Sequence, residues 1–343
     1  MSDTDHIARR TIIKGAGLGI GAGLVSQLAP PPALAQGEAK AAADIWSGEY
    51  WANKGDVKLY LFRKRAGAPK PGEPPLPVFL LVHGSSISAR PSFDLTVPGK
   101  GDYSTMDAFV RWGFDVWTMD HENYGRSSRT SGNSDIASGV EDLKAGVEVV
   151  VRETGRQKLN FMGESSGAIR AGAYAMVRPE RVDRLVLSAF TYKGENSPTL
   201  AKRAEQLAYF RTHNTRLRDR AMILSIGTRD KPGTSDMAVM NALADAELKF
   251  GDQAPTGTYL DMTANLPLVD PKKVPCPVLM IRGEHDGIST IDDLWAFYKE
   301  LPHGDRQFVI LPGTAHSLLW AANRQLFWHA MHGFLTPPPA VVT

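Results

Sequence analysis

The sequence predicts an α/β protein: a mostly parallel central sheet flanked by helices, with a helical cap inserted between the sixth and seventh strands. Three observations carry that expectation. Short apolar runs recur at Val78–Val82, Phe114–Met119, Leu159–Met162, Leu185–Leu187, Val278–Ile281 and Phe308–Leu311. Apolarity on consecutive positions suits strands covered on both faces. Most of these runs are separated by helix-length segments, such as 135–154 with Val140, Leu143, Val147 and Val151 on one face, and strands alternating with helices imply a parallel sheet. The rhythm breaks once, over 191–271, where the helix-like stretches 200–213 and 235–250 stand without a buried strand. That interval is too long for a structureless loop and reads as an insert with its own packing.

The chain begins with a segment to be set apart from the fold. Arg9-Arg10-Thr11-Ile12-Ile13-Lys14 is followed by an uncharged stretch from Gly15 to Ala29, then by Pro30-Pro31-Pro32 and by Ala33-Leu34-Ala35. The apolar stretch is short for a bilayer span and is diluted by five glycines, so it reads as a signal h-region with cleavage after Ala35 and not as a stable membrane anchor. It resembles a bacterial Tat signal peptide, departing at Ala8 and Ile12; the resemblance implies recognition by the Tat export machinery and a periplasmic or secreted protein starting at Gln36. The glycines at 15, 17, 19, 21 and 23 do not form a dinucleotide fingerprint, because no glycine falls at the required odd step and no strand precedes them.

The remaining residues divide into a core over 36–190 and 272–343 and a cap over 191–271. A hairpin is expected over Trp46–Arg65, turning at Asn53-Lys54-Gly55-Asp56, before a proline-rich linker over 66–77. The segment 336–339 reads as a frayed tail. The 343 residues carry 39 Lys+Arg against 37 Asp+Glu and a net charge of +2, with no dense basic run, which excludes nucleic acid as the main partner. Cys276, the one cysteine, reads as a small apolar residue; no metal-ligand spacing occurs, since Asp120-His121-Glu122 is too contiguous to converge on one ion. Neither a metal nor an organic cofactor is expected.

Chemistry concentrates at Gly163-Glu164-Ser165-Ser166-Gly167, placed between an apolar run and a helix-like segment; Ser165 is the only serine that fits G-x-S-x-G. Between strand and helix this pattern is a nucleophile elbow, and its glycines keep side chains out of a tight turn. A serine hydroxyl needs a base, and the base needs an orienting group. In this type of sheet they follow in the order Ser, acid, His. Asp286 ends the run 278–287 and His316 the run 308–317, which supplies both in that order. Rivals for the acid are Glu284, Asp292, Asp293 and Glu195; rivals for the base are His83, His329 and His332.

With these residues assembled, the chain resembles an α/β-hydrolase-fold serine hydrolase over nearly all of residues 36–343. Val82-His83-Gly84-Ser85-Ser86 resembles the family's His-Gly loop. The resemblance implies that the backbone N–H groups of Ser85 and Ser166 form the oxyanion hole. Asp120-His121-Glu122-Asn123-Tyr124-Gly125-Arg126-Ser127 resembles the family's acidic turn, with Asn123 and Tyr124 departing from it. The expected activity is hydrolysis of a carboxylic ester or lactone, with a small-molecule substrate. A carbon–carbon bond hydrolase, a cofactor-free perhydrolase and a non-catalytic binding protein remain alternatives, whereas a dehalogenase would need a carboxylate where Ser165 stands. Glu164 and His121 stay open between pocket and loop roles, as do Tyr192, Tyr209, Phe210 and Tyr259 between pocket and core. The cap cations Lys202, Arg203, Arg216, Arg218 and Arg220 admit two readings, an arginine that meets a substrate carboxylate or solvated helix faces.

Overall fold

The computed structural model describes residues 44–339. The twin-arginine segment and the expected cleavage site therefore lie outside the described residues. Eight strands build the main sheet: β1 Ile45–Lys54, β2 Val57–Ala66, β3 Val78–Val82, β4 Asp115–Met119, β5 Leu159–Glu164, β6 Val182–Ser188, β7 Val278–Gly283 and β8 Arg306–Leu311. They lie in the order β1-β2-β4-β3-β5-β6-β7-β8. Strands β3 to β8 run parallel, and β2 is antiparallel to both β1 and β4. The hairpin of β1 and β2 closes through Gly55-Asp56, with Lys54 opposite Val57 and Gly55 at φ 56°, a backbone region open to glycine at little cost.

Helices α1 Ala89–Phe93 and α2 Thr105–Arg111 precede β4, α3 Ile136–Thr154 joins β4 to β5, and α4 Ser166–Val177 joins β5 to β6. Between β6 and β7, the sixth and seventh strands, come α5 Pro198–Ala204, α6 Leu207–Thr212, α7 Arg220–Ile226, α8 Met237–Glu247 and α9 Gly257–Ala264. α10 Ile291–Glu300 joins β7 to β8, and α11 Arg324–Leu335 follows β8. α3 starts where the Asp135 carboxylate accepts the Ser138 N–H at 2.8 Å and stops at Gly155, φ 74°.

Alternate strand residues feed two apolar layers. Leu80, Val82, Trp117, Phe161, Leu187 and Met280 pack with Leu143, Val147 and Val150 of α3 and with Leu294 and Phe297 of α10. Phe79, Leu81, Val116, Met162, Val186 and Ile281 face the opposite layer with Phe109 of α2, Leu243 of α8 and Phe327 of α11. The insert thus contributes to the main core through α8.

Two local expectations change. Phe308–Leu311 is not covered on both faces: β8 pairs only with β7, and as the edge strand it leaves Ile310 43% exposed. The insert is not purely helical either, because 215–217 pairs antiparallel with 253–255. Strands of three residues with little burial leave no apolar run in a sequence. Among the described residues no helix is long and apolar enough to cross a membrane.

Candidate active site

The loops at the C-terminal ends of β5, β7 and β8 bring three distant residues together. Ser165 sits between β5 and α4 at φ 57°, ψ −122°, a strained conformation for a residue with a Cβ. Its N–H donates to the Ser188 carbonyl at 2.8 Å, and its carbonyl accepts the Ala168 N–H at 2.9 Å. The flanking glycines are sterically required: a Cβ on Gly163 would lie 2.3 Å from the Gly167 carbonyl oxygen, and one on Gly167 2.2 Å from that of Val82.

His316 Nε2 lies 2.9 Å from Ser165 Oγ, and His316 Nδ1 lies 2.8 Å from Asp286 Oδ1. Asp286 is buried, and its Oδ1 also accepts the N–H groups of Ile288 and Ser289 at 2.8 and 3.0 Å. Burial alone would raise its pKa; the charge and hydrogen bond of His316 and the two amides outweigh burial and hold the carboxyl below its ordinary range. The other acidic candidates are engaged elsewhere or face solvent. Glu284 is half-exposed and accepts the Gly313 N–H at 2.8 Å, Asp293 accepts the N–H groups of Tyr192, Lys193 and Gly194, and Asp292 and Glu195 are exposed. Of the rival histidines, His329 is exposed on α11 and His332 packs on Trp112, 4.3 Å between ring centroids.

His83 braces the loop after β3. Its Nδ1–H donates to the Gly84 carbonyl at 2.8 Å and its Nε2 accepts the His121 N–H at 3.1 Å. Burial, with the nearby His121 and Arg170, pushes its pKa well below the ordinary value, so it stays neutral. His121 is likewise a loop residue: its Nδ1 meets Asp142 at 3.1 Å, Asp142 pairs with Lys54, and burial lowers the imidazole to about 4. Asp120, by contrast, binds the N–H groups of Ala89 and Arg126, and Glu122 binds Lys54. Asp120 is turned to backbone amides while His121 and Glu122 reach the Lys54–Asp142 pair, and among the described residues no group of three His, Cys, Asp or Glu could hold a metal ion.

Ser85 and Ser166 also come together, Ser85 Oγ–H donating to Ser166 Oγ at 2.8 Å. The Tyr124 hydroxyl donates to the Ser85 carbonyl at 2.8 Å and fixes this loop. Tyr124 and Asp142 had no signal of this role in the sequence beyond their place in a turn and on a helix. Cys276 is buried, and burial raises its thiol to about 12, which leaves it inert. Of the cap aromatics, Phe210 and Tyr259 are buried, Tyr192 packs on Phe297 and Tyr209 is exposed against His213.

Ser165 and His316 open onto a cavity of about 30 Å³, which Ser85, Ser86, Glu164, Arg203, Arg229 and Trp320 help to line. Glu164 faces this space after all, packed over Gly84, where a Cβ would lie 2.6 Å from its Oε2. Burial, reinforced by Asp286 and opposed by His316 and Arg229, raises its carboxyl from 4.5 to about 7. A raised carboxyl pKa disfavours the folded state once the unfolded chain ionises. The penalty is absent below pH 4.5, grows above it and is complete above pH 7, where it amounts to about 3 kcal/mol. Glu164→Gln is therefore expected to raise the melting temperature by a few degrees at pH 8 and to leave it unchanged at pH 4. Equal shifts at both pH values in calorimetry would contradict this account.

The sequence profile of the family described as serine aminopeptidase, S33 matches residues 100–321. No curated protein matches the chain at a significant level. Among solved structures, E-2-(acetamidomethylene)succinate hydrolase is similar at 16% identity and a TM-score of 0.61, over 84% of this chain and 99% of that one. An enol-lactonase from Burkholderia xenovorans LB400 is similar at 16% and 0.58, over 84% and 100%. The 2-hydroxy-6-oxo-6-phenylhexa-2,4-dienoate hydrolase from Rhodococcus sp. strain RHA1 is similar at 18% and 0.57, over 85% and 100%. At these identities the likeness is one of fold.

Proposed function

The chain belongs to the serine aminopeptidase S33 family of α/β-hydrolases, and we propose that it is an exported serine hydrolase that cleaves a carboxylic ester or lactone. The observation that carries this reading is the hydrogen-bonded series Ser165, His316, Asp286, at 2.9 and 2.8 Å, opening onto a cavity. His316 Nε2 takes the Ser165 proton as the oxygen attacks the carbonyl carbon. Asp286 holds the proton of the imidazole on Nδ1, leaving Nε2 free to act as base, and stabilises the imidazolium that forms. The oxyanion is met by the N–H groups of Ser85 and Ser166. Ser166 opens α4, where first-turn N–H groups lack an intrahelical acceptor, which supports the assignment. Donors of this kind contribute about 2.7–4 kcal/mol each to acyl transfer. His316 then protonates the leaving alcohol, and a water attacks the acyl-enzyme with His316 again as base.

Arg203, at the cavity and without a carboxylate partner among the described residues, supports an ester or lactone over a free aminopeptide substrate, because its charge opposes the α-ammonium such a peptide brings to the site. Export is supported by the Arg9-Arg10 segment and Ala33-Leu34-Ala35. One experiment tests both parts: treating periplasmic protein with a fluorophosphonate and measuring intact and peptide masses. The expected result is one adduct on Ser165 in a chain starting at Gln36. Folded protein without an adduct would sink the serine mechanism; retention of residues 1–35 would sink the export reading alone.

A further inference from the structure

Next to the Ser165 chamber is a larger cavity of about 690 Å³, whose lining includes Lys202, Arg203, Phe210, Arg216, Arg229 and Asp230. Arg203 and Arg229 line both spaces, so the two meet at these guanidiniums. Four cations thus face one carboxylate in the lining, and that carboxylate is already engaged. Asp230 pairs with Arg229 at 2.8 Å and accepts the His316 N–H at 3.4 Å.

Arg203 and Arg216 differ from Arg218 and Arg220. Arg218 is buried against Glu247, and Arg220 pairs with Asp245. Neither Arg203 nor Arg216 is paired with a carboxylate among the described residues. Instead both guanidiniums rest against the Tyr259 ring, 5.1 and 4.8 Å from its centroid. The Tyr259 hydroxyl in turn shares a 2.6 Å hydrogen bond with Ser86, the neighbour of Ser85. The field is strong enough to register on that phenol: burial alone would raise it, yet Arg216 and Arg203 hold it below its ordinary value. Two half-buried guanidiniums, held by an aromatic ring and without a carboxylate partner among the described residues, can turn donors towards an incoming anion, and a carboxylate matches a guanidinium in planar, bidentate geometry.

We propose that Arg203 and Arg216 form an anion subsite and that the substrate is an ester or lactone carrying a carboxylate away from the scissile bond. This rests on the hydrolase reading above. The test compares two matched pairs: 4-nitrophenyl hydrogen adipate with 4-nitrophenyl hexanoate, for a carboxylate on the acyl side, and 4-carboxyphenyl hexanoate with its methyl ester, for one on the alcohol side. In at least one pair the anion is expected to have a kcat/KM at least about tenfold higher, the scale of a charge-assisted pair. That ratio should fall towards one in Arg203→Gln and, independently, in Arg216→Gln. Turnover of the neutral esters without anion preference in either pair overturns the subsite and leaves the hydrolase standing, as does a preference that survives both substitutions. No turnover of any ester, together with no phosphonate adduct, overturns the hydrolase itself.

Discussion

Replacing Ser165 by alanine is expected to lower kcat on any turned-over ester by at least about 10⁴-fold, the scale on which serine triads depend on their nucleophile. The effect is large because nothing nearby can replace the oxygen. Ser166 is occupied by Ser85 Oγ–H, and the cavity's other nucleophilic candidate, Glu164, is a buried carboxyl raised to about 7 and so only about half ionised near pH 7. The residual rate would reflect the Ser85 and Ser166 amides acting on bound substrate with water as nucleophile. Alanine removes a small polar side chain without touching the backbone hydrogen bond from Ser165 N–H to Ser188, so the fold should persist. Ester kinetics on folded Ser165→Ala, with melting temperature as the control, decide the point. A loss below tenfold would exclude Ser165 as nucleophile.

The second large effect separates two carboxylates two residues apart. Asp286→Asn keeps the shape of the side chain but turns an acceptor-only group into one that can donate, which favours the wrong imidazole tautomer; kcat should fall by about 10⁴. Glu284→Gln should alter kcat by less than about threefold, since Glu284 is half-exposed and its contact is the Gly313 N–H. The asymmetry rests on burial. Asp286 is turned inward by the Ile288 and Ser289 amides, and its charge survives there because His316 and those amides compensate the loss of water. If the Glu284 variant lost the larger share, the acid would be misassigned.

Much of this site was legible in the sequence because its determinants are local. Gly163 and Gly167 announce a turn whose crossing backbone leaves no room for a Cβ, and apolar runs on consecutive positions mark central strands whatever their partners. What escaped depends on partners far along the chain. That β8 is an edge strand follows from the sheet order, which the run 308–311 does not encode. The acid did not escape, since chain order already favours Asp286 over Glu284; the folded loop adds the reason, burying the first carboxylate and leaving the second solvated. The cap arginines are the sharpest case. Arg216, Arg218 and Arg220 stand two residues apart, yet Arg218 finds Glu247 and Arg220 finds Asp245, while Arg216 finds the Tyr259 ring. Charge pairing across an insert leaves no periodic trace.

The hydrogen bond between Ser165 and His316 joins residues 151 apart in sequence, across loops that close only after β7 and β8 have joined the sheet. Parallel strands of such separation pair slowly, because chain entropy is spent before the contacts form. Each helix can form from its own neighbourhood while Ser165 is still without His316. A refolding chain should therefore recover its helical signal well before it recovers turnover, and the catalytic assay becomes a clock for the docking of the C-terminal strands.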